Sequence, residues 1–161
     1  VVGRIFNQQL AVRRHTSVFF PLATETNTCW LRLMTSWHGG ESLDHLLECK
    51  TGQLVFENFL RTEYSEENLL FWLASEDYKK ITSESEMKAV AKRIYAEFVE
   101  VDAPRQINID CVTRGEISKN LSQPGPNCFD RAQRLIYGLM ENDCYPRFLK
   151  SDIYQALLEQ Q

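Results

Sequence analysis

The sequence predicts an all-α fold, seven to nine helices in one compact domain. Apolar residues recur at helical spacing through most of the chain after Glu41. Short polar or Pro/Gly breaks separate these segments, and no useful run alternates with the period of two that a strand requires. A length of 161 residues suits one domain with a sizeable core and is short for two.

The elements follow in order. SLDHLLEC places Leu43, Leu46 and Leu47 on one face, with Ser42 as the expected N-cap. TGQLVFENFLRTEY continues with Leu54/Val55, Phe59 and Leu60 in helical register. TEYSEENLLFWLASEDYKK starts a third helix at Ser65, capped by its hydroxyl, with Leu69, Trp72 and Leu73 as the burying face. Glu66 and Glu67 suit the positive end of that helix, but Asn68 is left unexplained by capping. ESEMKAVAKRIYAEFVEVD puts Met87, Val90/Ala91, Ile94/Tyr95, Phe98 and Val101 on one stripe, ended by Ala103-Pro104. Asp110 is expected to cap a modest helix through Leu121, and SQPGPN is a turn. Asn127 or Asp130 opens a long helix with Phe129, Ala132, Leu135/Ile136 and Leu139/Met140 inward. Asn142-Asp143 and Pro146 should interrupt it, and a last helix runs from about Ser151 to Leu158.

Residues 1–36 show neither period and are expected to be a poorly ordered extension of a domain spanning 37–161, with Trp37 belonging to the domain's packing. A membrane-facing helix around Arg4–Arg14 would have a thin apolar face. SVFFPLA is faintly like a signal peptide, but its apolar part is short and broken by Pro21.

The net charge of −4 is unevenly placed. Residues 1–40 carry Arg4, Arg13, Arg14 and Arg32 against Glu25, while the other 121 residues carry 14 basic and 21 acidic side chains. An acidic body argues against nucleic acid as a partner. The five cysteines (Cys29, Cys49, Cys111, Cys128, Cys144) are odd in number and form no CxxC pair, which suits reduced thiols. The three histidines are not spaced with them as a zinc site requires, and no apolar run approaches a transmembrane span. No phosphate-cradling glycine loop is present, adjacent acids such as Glu66/Glu67 and Glu76/Asp77 cannot face each other, and no Ser or Cys has a His in a plausible motif. The layout is that of a binding surface rather than of an enzyme acting alone, with no metal and no cofactor expected.

Three separated motifs then carry a family resemblance. FLRTEYSEENLLFWLASEDYKK, APRQINID and LMENDCYPRFLKSDIY, in that order and spacing, resemble the regulator-of-G-protein-signalling (RGS) domain over roughly Glu41 to Leu158. The chain looks like one of the small members made of little more than this box. The resemblance implies a domain of about nine helices that accelerates GTP hydrolysis on heterotrimeric G-protein α subunits (Gα). A Gα subunit already carries its catalytic Arg and a water-orienting Gln. A partner that binds the transition-state arrangement best can therefore speed hydrolysis without supplying a catalytic residue.

The resemblance places the Gα-binding residues in three loops. Glu63, Tyr64, Ser65, Glu67 and Asn68 match the first, and Gln106, Asn108 and Asp110 the second. Leu139, Asp143, Cys144 and Arg147 match the third. Asn108 corresponds to the Asn that approaches the Gα glutamine and switch threonine, where an amide that donates and accepts suits a hydrogen-bond network. Asp110 reads as a cap, a loop support, or both, and Arg147 reads as a direct contact or as a partner holding Asp143. Gln106 stands where many members have Glu, which is expected to alter Gα preference or on-rate. Cys144 stands where Ser is usual, which should weaken binding modestly, and Ser75 stands where many carry Cys. The implied partners are GTP-bound Gα subunits of the i/o and q classes, met by a cytoplasmic monomer recruited to the inner face of the plasma membrane. The competing reading is a non-catalytic RGS-like adaptor.

Overall fold

A computed structural model describes residues 42–159. The expectations for the N-terminal extension, Trp37 and Cys29 lie outside the described residues. Within them there are eight α-helical and two π-helical segments, joined into seven continuous rods, and no strand. The rods are α1 (Leu43–Glu48), α2 (Lys50–Thr62), α3 (Glu66–Lys79), α4 (Glu84–Ile94) with a π continuation (Tyr95–Val99), and α5 (Cys111–Asn120). Then α6 (Asp130–Leu139) runs through a second π segment (Met140–Cys144) into α7 (Tyr145–Phe148), and α8 (Asp152–Leu158) follows. Helix α3 is central, packing against α2, α4 and α6, while α5 packs on α6 and on the first π segment.

Aromatic rings fill the interior. Phe71 of α3 meets Phe98 of the first π segment at 5.8 Å and Phe129, just before α6, at 6.1 Å. Tyr78, one side of the same helix, sits edge-on to Phe129 at 5.1 Å and donates its hydroxyl to the Gly125 carbonyl in the SQPGPN turn. A second cluster joins Phe56 and Phe59 of α2 to Phe148 and through it to Tyr154 of α8. Each such pair contributes roughly 0.5–1.5 kcal/mol beyond its buried area. Leu43, Leu46 and Leu47 bury one face of α1 as the spacing predicts. The chain turns so sharply from α1 to α2 that a Cβ on Gly52 would overlap the Leu46 carbonyl oxygen, so only glycine fits there.

Several pattern-based expectations are corrected. Leu54 is 55% exposed and Phe56 takes the buried place beside Val55. Val101 is 62% exposed because the wider i→i+5 turns before it rotate Val99 inward instead. Leu135 is 46% exposed, and Gln133 is buried in its stead, donating to the Trp72 carbonyl and the Glu76 carboxylate. Trp72 and Leu73 are only partly buried, whereas Leu69 and Phe71 are fully so. Asn142-Asp143 and Pro146 do not break the rod. Pro146 falls at the start of α7, directly after the π segment, and the rod continues through it. Asp130 opens α6 as one of the two expected starts, with Phe129 in the position just before it.

The α2–α3 junction also departs from expectation. Ser65 makes no side-chain cap to α3. Its hydroxyl and its N–H instead point back to the Leu60 carbonyl, at 3.4 and 3.0 Å, while Tyr64 N–H donates to Arg61. These bonds close α2 in a Schellman motif, whose left-handed position is held by Tyr64 at φ 56°. Glycine is the usual occupant, since a side chain there costs roughly 1–2 kcal/mol.

Two substitutions test these close fits. Gly52→Ala should lower stability by roughly 1–3 kcal/mol in urea unfolding, opposite in sign to the gain helix propensity alone gives. Tyr64→Gly, which removes an exposed ring and the left-handed strain, should raise stability by up to about 1 kcal/mol in the same assay.

Candidate functional site

The first loop is built by that Schellman closure. It holds the Tyr64 ring 92% exposed beside the start of α3. Glu67 is half-buried, and that burial, helped by the neighbouring Glu66 charge, pushes its carboxyl above the usual range. Asn68 is only 4% exposed, and its Nδ2 donates to the Ser65 carbonyl at 3.2 Å, tying the turn to the helix. Its Oδ1 is buried with no hydrogen-bond partner among the described residues. An unpaired buried acceptor costs about 1–3 kcal/mol.

The second loop leaves the first π segment and returns into α5. Ile107 and Ile109 are buried, so alternation along the extended stretch turns Asn108 outward. Arg105 N–H donates to Glu97 at 3.0 Å and Ile107 N–H to Phe98 at 2.9 Å, fixing the stretch to the π segment. The Gln106 side chain is exposed, but its Oε1 accepts from the Asp102 N–H at 2.8 Å, steadying a residue at φ 63°. Asp110 caps α5 as expected, accepting from the Thr113 N–H at 2.8 Å and the Thr113 hydroxyl at 2.7 Å. These Thr113 bonds hold its carboxyl below the usual range.

The third loop is a helical face. Leu139 is partly exposed, Asp143 is exposed and Cys144 is buried at 2%, with burial pushing its thiol up. Arg147 bonds Asp143, the pairing the sequence left open, and also Glu63 through Nε at 3.0 Å and Nη2 at 2.8 Å. Glu63 lies 84 positions earlier, and no local pattern could have revealed this second carboxylate. Glu63 first and Asp143 second raise the pKa of Arg147. An isolated surface pair contributes about 0.2–1 kcal/mol, so the value of this cluster is chiefly geometric.

The structure thus joins the first and third loops directly, through Glu63–Arg147–Asp143. The Asn108 loop shares no side-chain bond with them among the described residues; it is set instead by the same core. Both π segments lie beside these loops, as π turns often do at functional sites. Among the described residues no three His, Cys, Asp or Glu side chains are grouped to hold a metal ion. No described helix is long and apolar enough to cross a membrane, and Cys49, Cys111, Cys128 and Cys144 are free thiols. The arrangement offers oriented donors and acceptors around one exposed aromatic ring.

Comparison with known proteins gives this surface a family. Residues 42–157 match the model of the regulator of G protein signaling domain. Regulator of G-protein signaling 8 of Danio rerio is 48% identical over 146 residues, covering 88% of this chain and 83% of that one. Regulator of G-protein signaling 21 of Homo sapiens is 52% identical over 121 residues, covering 75% and 80%. For regulator of G-protein signaling 1 of Homo sapiens the identity is 56% over 118 residues, covering 73% of this chain and 56% of that protein. The chain belongs to the regulator of G-protein signaling family.

Proposed function

We propose that this chain is a GTPase-activating protein for Gα subunits, binding their switch segments in the transition-state arrangement. The observation that carries the reading is a preformed polar surface: Glu63 and Asp143 are both already bonded to Arg147, and Asn108 stands exposed on an anchored stretch. Such a surface needs no rearrangement on binding, so its interaction energy goes into fixing the partner. Asn108 would orient the Gα glutamine and switch threonine, with the amide donating to one and accepting from the other. Tyr64 supplies an exposed aromatic contact of the kind that dominates interface energies. Asp143, steadied by Arg147, accepts from switch-segment donors, and Ser65, Glu67 and Leu139 complete the contact area. Asn68 and Cys144, both buried, act from beneath it.

The chain works as a monomer on GTP-bound Gα of the i/o and q classes, and hydrolysis itself stays with Gα. It is cytoplasmic and reaches the inner face of the plasma membrane through its lipid-anchored partner.

Single-turnover GTP hydrolysis by a panel of Gα subunits, with and without the full chain, tests this. Acceleration is expected for i/o and q members, and Asn108→Ala should reduce the maximal rate on the order of tenfold to a hundredfold. Binding with no acceleration of any Gα would instead support the adaptor reading.

A further inference from the structure

Arg114 is a charged side chain that none of the three loops accounts for. It lies one turn into α5, its own N–H donating to the Asp110 carbonyl at 3.1 Å. Its guanidinium makes no ion pair among the described residues. Instead Nε donates to the Val99 carbonyl at 2.8 Å and Nη2 to the Ile109 carbonyl at 3.4 Å.

These two carbonyls bracket the loop that displays Asn108. Val99 ends the first π segment, where the backbone dipole presents its negative end and favours a cation. Ile109 is the residue directly after Asn108. Upstream, Asn108 is held by the Ile107 N–H bond to Phe98. Downstream, Asp110 caps the helix, and Arg114 draws the Ile109 carbonyl toward the helix end from which the loop departs. A guanidinium is a planar fork with fixed donor directions, so it sets the separation of two acceptors in a way that a flexible ammonium does not. Ile107 and Ile109 are 0% and 7% exposed, so both neighbours of Asn108 are anchored in the core, and moving the Ile109 carbonyl disturbs the anchor on its C-terminal side.

From this geometry we infer that Arg114 is a positioning residue for GTPase activation, acting through Asn108 rather than on Gα. The inference rests on the activator reading above. A displacement of about 1 Å at an orienting group lowers a rate on the order of a hundredfold, so the loop need not unfold for activity to fall.

The test is single-turnover hydrolysis by a responsive Gα across concentrations of the full chain, comparing the unsubstituted protein with Arg114→Ala, Arg114→Lys, Asn108→Ala and the Ala/Ala double variant. Arg114→Ala should lower the maximal rate at saturation on the order of tenfold. Arg114→Lys, which keeps the charge and one donor, should fall between and serves if the alanine variant does not fold. The double variant should be no slower than Asn108→Ala alone, because the first loss removes what the second acts through. A merely structural role would lower the melting temperature of Arg114→Ala and leave its saturated rate unchanged, which overturns the inference. Losses that multiply in the double variant overturn it too, since Arg114 would then act independently of Asn108. If the unsubstituted chain accelerates no Gα, the activator reading fails and this inference falls with it. Acceleration lost in Asn108→Ala but intact in both Arg114 variants removes only the inference.

Discussion

The contact of Phe71 with both Phe98 and Phe129 is what the rest of the structure depends on. Phe71 lies one turn past Asn68, so it fixes the start of α3 and with it the first loop. Phe98 gives its carbonyl to Ile107, so the same ring contact sets the base of the Asn108 loop. Phe129 begins the rod that runs through Leu139 and Asp143 to Arg147. All three rings are nearly or fully buried. Burial of a phenylalanine is favourable by about 1.5–3 kcal/mol, and truncation in a packed core costs more because a cavity remains. Three segments distant in sequence are thereby held in one frame before any partner arrives.

On that frame the surface carries features that folding alone does not favour. Tyr64 occupies a left-handed position better suited to glycine, and Asn68 buries an acceptor with no donor among the described residues. Strain and unpaired polar atoms of this kind persist where surrounding structure over-determines them, and they concentrate at functional sites. Polar bonds then refine what the rings position. Arg147 spans the first and third loops, Gln106 closes the turn at Asp102, and Asp110 caps α5. These contacts are mostly exposed, and their effect is on orientation more than on stability.

Much of this was legible in the sequence. Amphipathic periodicity gives the helices and most of the core, and the cap at Asp110 follows from local hydrogen-bonding preference. The errors have physical causes. Two π segments shift the register by an extra residue per turn, which no 3.6-residue pattern anticipates, and so the pattern points Val101 inward where the structure buries Val99. Pro146 reads as a breaker because the sequence does not show that the turn before it is already widened. Ser65 reads as a cap because the Schellman closure is normally signalled by glycine, and here the left-handed residue is Tyr64. The Asp143–Arg147 pair is visible as an i, i+4 spacing, whereas the bonds from Arg147 to Glu63 and from Arg114 to Val99 depend on tertiary packing alone.

The central claim is that this preformed surface fits the transition-state form of Gα better than the ground state. The most direct measurement is the affinity of the full chain for one responsive Gα in three states: GDP-bound, GDP with aluminium fluoride, and bound to a non-hydrolysable GTP analogue. The account predicts tightest binding to the aluminium fluoride complex and weakest to the GDP form. Equal affinity for all three would contradict it, because a ligand that does not discriminate between states cannot shift a partner toward one of them.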